Sequence, residues 1–187
     1  MRYFFKYLLR LLGWKLVGEM PEQKKVVFIF APHTSNWDFV IMMMARFCYR
    51  MKPAYLGKHT LFKPPFGWFF KWLGGIPVER SSSHNVVDQV VAIINERDEI
   101  ALALAPEGTR SKTDKWKSGF YHIALKAQVP LVMAFLDKST KTLGIGATIY
   151  LTGDKEQDMD TIRDFYQDKV GIKPELASDI RLEVKDS

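Results

Sequence analysis

Three short, continuous runs of apolar residues constrain the fold of this chain more than any other feature. They cover residues 26–31, 100–105 and 130–136. The first is rich in β-branched and aromatic side chains, which is typical of a strand buried on both faces of a sheet. Stretches with helical periodicity separate the runs. The sequence therefore predicts an α/β domain with a largely parallel central sheet flanked by helices.

The remaining elements follow from weaker patterns. Further strands are predicted at residues 54–57, 76–78 and 144–151. Helices are predicted at residues 37–50, 66–73, 83–97, 118–128 and 159–170. A length of 187 residues suits a single domain with a sizeable core. We expect functional residues at one edge of the sheet, where the strands give way to loops.

The first 20 residues combine apolar and basic side chains. Arg2, Lys6 and Arg10 recur every four residues, so on a helix they share one face. A membrane-spanning helix needs about 20 largely uncharged residues, which this segment does not offer. We therefore predict a basic amphipathic helix over residues 1–20 that lies in the lipid interface. The alternative is a helix packed on the core of the domain.

The charge is distributed unevenly along the chain. Residues 1–80 contain 13 Lys and Arg but only 4 Asp and Glu, whereas the remainder has 14 and 17. The basic part favours an anionic partner such as lipid headgroups, a phosphorylated substrate or nucleic acid, unless it serves only solubility. We find no signature of a nucleic-acid-binding motif, so no nucleic acid is expected. The histidines and the single cysteine, Cys48, lack metal-ligand spacing, so no metal site is predicted.

A histidine and an aspartate follow the first predicted strand. His33 comes just after it, and Asp38 lies five residues later, near the start of a helix. A turn can bring the carboxylate to one imidazole nitrogen, which leaves the other nitrogen free to act as a base. A substrate hydroxyl would then take the place of a protein nucleophile. The alternative is an aspartate that only caps the helix.

Three further segments stand out. The segment Ala-Pro-Glu-Gly-Thr-Arg-Ser, residues 105–111, follows a predicted strand, and its arginine offers a planar fork for phosphate. A turn at residues 74–75 and a short apolar stretch deliver Arg80. The segment Val-Pro-Leu-Val, residues 129–132, opens a strand and has no chemistry of its own. Taken alone, the segment at residues 105–111 slightly favours a strand-ending turn with a surface ion pair.

Together, the order and spacing of these segments resemble the 1-acylglycerol-3-phosphate acyltransferase family. The resemblance implies that His33 is the general base, that Asp38 orients it, and that residues 21–187 form an acyltransferase domain. It implies that acceptor binding involves Lys58, Arg80, Glu107, Gly108, Thr109 and Arg110. The chain departs from the family pattern after Lys58, where it has His59 in place of the usual acidic residue.

The resemblance also implies a reaction. A fatty acyl group would pass from an acyl thioester, acyl-CoA or acyl-ACP, to the free hydroxyl of a lysophospholipid. The default acceptor is 1-acylglycerol-3-phosphate, which would give phosphatidic acid in phospholipid biosynthesis. No cofactor beyond the acyl donor is implied. The expected partners are membrane lipids, the lysophospholipid and the donor, and the expected location is peripheral or monotopic on the cytoplasmic face of a membrane.

Three alternatives stay open. A transacylase of the same fold would take the acyl group from a phospholipid or use another lipid acceptor. A hydrolase would use water, but the chain has no Gly-x-Ser-x-Gly motif to supply a serine nucleophile. A non-enzymatic basic domain that binds membrane or nucleic acid would leave the ordered motifs unexplained.

A dense aromatic cluster lies between the His33–Asp38 segment and the turn at residues 74–75. Its members are Phe62, Phe66, Trp68, Phe69, Phe70 and Trp72. Two lysines flank it, and aromatic side chains next to lysine are typical of a membrane interface. The cluster is therefore a candidate for an acyl groove or a membrane contact, and ordinary helix packing is the alternative.

Overall fold

A seven-stranded sheet forms the centre of the structure, a computed structural model that describes residues 1–79 and 83–183. In chain order the strands are β1 (Lys15–Val17), β2 (Lys25–Ala31), β3 (Pro53–Lys58), β4 (Gly75–Val78), β5 (Ile100–Leu104), β6 (Leu131–Asp137) and β7 (Thr142–Ile149). Their order across the sheet is β1-β7-β6-β2-β5-β3-β4. The strand β2, which precedes His33, therefore lies in the middle of the sheet.

Helices cover both faces of this sheet. They are α1 (Arg2–Leu11), α2 (Asn36–Cys48), α3 (Gly67–Trp72), α4 (Ser83–Glu96), α5 (Gly119–Lys126) and α6 (Lys155–Tyr166), with two short 3₁₀ helices at His59–Phe62 and Pro174–Leu176. Helices α1 and α2 pack on one face, around Leu9, Phe30 and Leu136. Helices α4, α5 and α6 pack on the other face, where Ile29 and Tyr166 are buried.

The predicted α/β class is confirmed, and the sheet is largely parallel. All neighbouring pairs in it are parallel except β6 with β7. The central strands are almost wholly buried, as their continuous apolar sequences require. Strand β1 was not predicted, because three residues at the edge of a sheet leave no readable pattern.

The N-terminal segment differs from the helix predicted over residues 1–20. Helix α1 ends at Leu11, and Lys15–Val17 joins the sheet as β1. The helix stops because Gly13 adopts a left-handed backbone with φ 81°. The N–H of Gly13 bonds to Arg10 O and that of Trp14 to Leu9 O, which is the Schellman ending of a helix.

The last helix begins earlier than predicted. Helix α6 spans Lys155–Tyr166 instead of residues 159–170, because the Asp154 carboxylate caps it by accepting the N–H groups of Glu156 and Gln157. None of the described helices combines the length and the apolar character needed to cross a bilayer.

Candidate active site

The carboxyl ends of three neighbouring parallel strands meet at one edge of the sheet. Strands β2 and β5 pair in register up to Ile29 and Leu104, and β3 pairs with β5 on its other side. The loops that follow parallel strands emerge on the same side of a sheet. This edge therefore carries His33 after β2, Glu107 after β5 and Lys58 at the end of β3.

His33 and Asp38 lie close together at this edge. His33 Nδ1 and Asp38 Oδ2 are 3.4 Å apart, and the Asp38 side chain is fully buried while 15% of the His33 side chain is exposed. This separation exceeds that of a typical N–H···O hydrogen bond, and catalytic contacts of this kind often shorten only when substrate binds. Neither ring nitrogen of His33 forms a hydrogen bond with the described residues: Nδ1 is buried beside Asp38, and Nε2 is left for a ligand.

Asp38 also shapes the loop that carries His33. Its Oδ2 accepts hydrogen bonds of 2.7 Å from the backbone N–H groups of Thr34 and Ser35. The Ser35 hydroxyl accepts the N–H of Trp37 at 3.2 Å, and the two side chains form a capping box at the start of α2. One buried carboxylate therefore both caps the helix and contacts the histidine.

Glu107 supports the same loop from the neighbouring strand end. Its Oε1 accepts the backbone N–H of His33 at 3.0 Å. The residue is 2% exposed, and its Oε2 is buried without a hydrogen-bond partner in the described part of the chain. Burial raises the pKa of Glu107 to about 7, although the N–H of His33 lowers it. Glu107 is thus placed to hold the His33 loop, and its contact with an acceptor stays a prediction.

Glu107→Gln is expected to change how stability depends on pH. The carboxyl of Glu107 ionises near pH 4.5 in the unfolded chain and near pH 7 in the fold, so the folded state holds an extra proton between these values. The contribution of this carboxyl to the free energy of unfolding is fully present below about pH 4.5. It is lost progressively as the pH rises from there through about 7. Glutamine does not ionise, and its oxygen can still accept the N–H of His33. As the pH rises over this range, the free energy of unfolding of the variant should therefore increase relative to that of the wild type by up to about 3 kcal/mol.

Urea denaturation at about pH 5 and about pH 8 measures this gain. Glu96→Gln, which removes an exposed carboxylate at the end of α4, is the matched control and should keep the pH dependence of the wild type. If wild type and Glu107→Gln show parallel pH dependence, Glu107 is ionised in the fold throughout this range and the prediction is wrong.

Of the other residues predicted to bind the acyl acceptor, those that the structure describes lie at the surface of this edge of the sheet. Gly108, Thr109 and Arg110 are exposed in the turn after β5, and Lys58 is exposed at the end of β3. Arg80 lies outside the described residues. The role of each of these residues in acceptor binding stays a prediction.

A carboxylate stands next to His59, the position that departs from the family pattern. His59 Nδ1 and Glu79 Oε2 are 3.3 Å apart, and both side chains are about half exposed. Glu79 follows β4, which pairs in register with β3 so that Val78 lies opposite Lys58. An acidic group is therefore present beside His59, but it comes from another part of the chain.

Residues near the C-terminus complete the His33 loop, and the sequence had not revealed them. The Oγ1 of the buried Thr34 accepts the N–H of Lys173 at 3.0 Å. A Cβ on Gly171 would lie 2.7 Å from the same oxygen, so glycine permits the close approach of this segment. Thr34 and Lys173 are 139 positions apart, and no local pattern signals such a contact.

An apolar groove opens beside the first turns of α2. It has a volume of about 270 Å³ and lies between the end of α1 and the start of α2. Its lining includes Leu12, Trp14, Trp37, Val40, Met44 and Ile172. The groove thus lies at the end of α2 that also carries Asp38.

The aromatic cluster around α3 divides into two parts. Phe66, Trp68 and Trp72 are 66%, 71% and 74% exposed. Phe62 and Phe70 are partly buried, and their ring centroids are 6.4 Å apart in an edge-to-face contact. Packing therefore explains the inner part, and the role of the outer part stays a prediction.

The fold and the site together define a class of protein. A histidine is held near a buried carboxylate at the carboxyl edge of a parallel sheet, and no described Ser, Thr or Cys side chain hydrogen-bonds to its ring. Within residues 1–79 and 83–183, no three His, Cys, Asp or Glu side chains converge to hold a metal ion. This is an α/β domain with a histidine–carboxylate pair, an arrangement that can deprotonate a group supplied by a ligand.

The chain belongs to the Acyltransferase family, whose sequence profile matches residues 15–135. The matched region contains the first strand, the His33–Asp38 pair, the turn at Glu107 and most of β6. Family membership agrees with the resemblance drawn from the order of the motifs.

Curated relatives and a solved structure agree with this assignment. The chain is 32% identical over 80 residues to a 1-acyl-sn-glycerol-3-phosphate acyltransferase of Cocos nucifera, covering 40% of this chain and 26% of the relative. It is 27% identical over 129 residues to the Limnanthes douglasii enzyme of that name, covering 65% and 44%. The chain therefore spans less than half the length of these relatives.

The fold is similar to that of a solved acyltransferase. The crystal structure of the 1-acyl-sn-glycerophosphate (LPA) acyltransferase PlsC from Thermotoga maritima matches with a TM-score of 0.57 over 88% of this chain and 73% of that one. The sequence identity is 19%, so this likeness concerns the fold alone.

Proposed function

We propose that this chain transfers a fatty acyl group from an acyl thioester to the free hydroxyl of a lysophospholipid. The default acceptor is 1-acylglycerol-3-phosphate, and the product would be phosphatidic acid for phospholipid biosynthesis. One observation carries the proposal: His33 Nδ1 lies 3.4 Å from the buried carboxylate of Asp38, on a chain of the Acyltransferase family. The names of the curated relatives support the acceptor.

In the proposed reaction, His33 acts as a general base through Nε2. It removes the proton of the acceptor hydroxyl as that oxygen attacks the thioester carbonyl and a carbon–oxygen bond forms. Asp38 stabilises the imidazolium that results. The tetrahedral intermediate then expels the thiolate, which takes the proton back from His33. The products are the acylated lipid and the free thiol of CoA or acyl carrier protein, and no cofactor beyond the donor takes part.

In this proposal, cations at the same sheet edge hold the phosphate of the acceptor. The exposed Arg110 forms no ion pair with the described residues and is available to an anion. Lys58 lies at the end of a neighbouring strand, and Arg80 is proposed from the family resemblance alone. Clamping the phosphate would position the free hydroxyl for His33, and positioning of this kind contributes a large part of catalysis.

The apolar groove beside α2 is a candidate for the acyl chain. It is lined mostly by aromatic and aliphatic side chains, and it begins next to Asp38 in sequence. Burial of methylene groups there would contribute about 0.8 kcal/mol for each group. The exposed aromatic side chains of α1 and α3 support docking on a membrane surface, from which a lipid acceptor would enter.

Arg110→Gln tests the proposed acceptor site. The variant should raise the KM for 1-acylglycerol-3-phosphate by about 10- to 100-fold, because a charged hydrogen bond to phosphate contributes about 1.5–3 kcal/mol. The assay follows thiol release from a long-chain acyl-CoA by detergent-dispersed protein. Acyl-ACP and a phospholipid as sole donors distinguish the thioester reaction from transacylation.

A monoacylglycerol, which lacks the phosphate, is the matched control acceptor. Wild type and Arg110→Gln should turn it over at equal rates. An equal loss with both acceptors would mean that Arg110 does not bind phosphate. Thiol release that proceeds without any acceptor would favour the hydrolase alternative.

A further inference from the structure

A basic cavity lies at the end of α2 that is far from His33. Its volume is about 460 Å³, and it lies between the start of α1 and the end of α2. Its cationic lining residues are Arg2, Arg46, Arg50 and Lys52, and no lining residue is acidic. In the described part of the chain, no carboxylate lies within 4.0 Å of the charged atoms of these four.

The helices alone do not account for these cations. A cation at the end of α2 interacts favourably with the helix dipole, which explains Arg46. Arg2, however, lies in the first turn of α1, where a cation is unfavourable, and that turn has no acidic residue. Arg50 takes the left-handed position in the Schellman ending of α2, with φ 55° and the N–H of Met51 bonded to Arg46 O, although glycine is the usual residue there. Mutual repulsion of the four charges in one cavity would be relieved by a bound anion.

We propose that this cavity binds the phosphate group of an anionic phospholipid in the bilayer. Guanidinium groups match phosphate oxygens in geometry and charge, and three of the four cations are arginines. The inference rests on the proposed docking of the chain on a membrane, and it is independent of the proposed acyl transfer.

The surroundings of the cavity favour a lipid headgroup over a free phosphate compound. Met1 and Tyr3 line it and are 85% and 82% exposed, and Phe4 and Tyr7 on the same helix are 64% and 68% exposed. Exposed aromatic side chains beside cations are typical of a helix that lies in the bilayer interface. Helix α1 thus offers apolar side chains to the acyl region next to cations for the headgroups.

The cavity is separate from the proposed acceptor site. Asp38 and Arg46 are eight residues apart in α2, which corresponds to about 12 Å along the helix. The apolar groove lies at the other end of the same pair of helices, α1 and α2. A lipid bound in the basic cavity would therefore hold this pair on the bilayer without occupying the groove.

Vesicle binding by the full chain tests this inference without any measurement of turnover. One set of vesicles contains phosphatidylcholine alone, and the other contains equal parts of phosphatidylcholine and phosphatidylglycerol. Arg46→Gln/Arg50→Gln should weaken binding to the anionic vesicles by about 10- to 30-fold. Arg2→Gln, which leaves α2 unchanged, should weaken it by a smaller factor.

The matched control is Lys24→Gln/Lys155→Gln, which removes the same charge from exposed positions outside the cavity. It should bind anionic vesicles nearly as the wild type does, and thermal melting checks that all variants are folded. Equal losses in both double variants would mean diffuse electrostatic attraction and would overturn the site. Equal binding of the wild type to both vesicle types would also overturn it.

Coenzyme A and inorganic phosphate distinguish the sources of the anion. Neither compound should displace the wild-type protein from anionic vesicles, even at a concentration high enough to saturate a specific binding site. Displacement by coenzyme A, together with a raised KM for acyl-CoA in the arginine variant, would assign the cavity to the donor. If the wild type binds vesicles as expected but transfers no acyl group, the proposed reaction fails while this site stands.

Discussion

His33→Ala is expected to lower the rate of acyl transfer by about 10²–10⁴-fold, because general base catalysis contributes a factor of this size. The remaining rate would come from substrate positioning, which the substitution leaves in place. The fold should persist, because the Asp38 carboxylate still accepts the N–H groups of Thr34 and Ser35. Single-turnover measurement of thiol release from acyl-CoA, at saturating acceptor, reports this rate directly.

Two controls make the His33 experiment specific. His122→Ala removes an imidazole from α5, on the other face of the sheet, and should transfer acyl groups at the rate of the wild type. Added imidazole should restore part of the activity of His33→Ala, because the lost group is a base and not a structural support. Near-normal transfer by His33→Ala would place the chemistry on another residue and overturn the proposed mechanism.

Asp38→Asn is expected to lower the rate of transfer by up to about 10⁴-fold, the loss caused by a carboxylate-to-amide change beside the histidine of a serine protease. The amide oxygen can take the place of Oδ2 and accept the N–H groups of Thr34 and Ser35, so the loop and the helix cap should remain. What is lost is the negative charge that stabilises the imidazolium. The expected signature is therefore a large fall in kcat with a small change in the KM for either substrate.

A second buried aspartate provides the matched control for this variant. Asp158 lies in the first turn of α6 and accepts the N–H groups of Thr152 and Gly153, so it supports a turn in a similar way. Asp158→Asn should lower the free energy of unfolding but leave kcat unchanged. If Asp38→Asn and Asp158→Asn had the same effect on kcat and on stability, the role of Asp38 would be structural only.

The local part of the site could be predicted from sequence because it depends on short-range geometry. His33 and Asp38 are five residues apart across a strand end and a helix start, and the hydrogen bonds of Asp38 to Thr34 and Ser35 span only four and three positions. A loop this short has few conformations. The approach of the carboxylate to the imidazole could therefore be predicted from the sequence, although the separation of 3.4 Å could not.

The role of Glu107 could not be predicted in the same way. It is 74 positions from His33, and the motif that contains it suggests only a turn with polar residues. Its burial follows from the pairing of β5 with β2, which places the turn after one strand against the loop after the other. The raised pKa of Glu107 is a consequence of that burial.

The sequence by itself determined the class of fold, the order of the central strands and helices along the chain, and the family. The fold class and the order of the elements follow from apolar periodicity among neighbouring residues, and the family follows from the order and spacing of motifs along the chain. Only the tertiary structure decided which faces of α1 are covered, that Lys15–Val17 joins the sheet, and that the segment at Lys173 closes on Thr34. Those contacts depend on how separate elements pack in three dimensions. The residue pattern of one helix or strand does not indicate which other elements will lie against it.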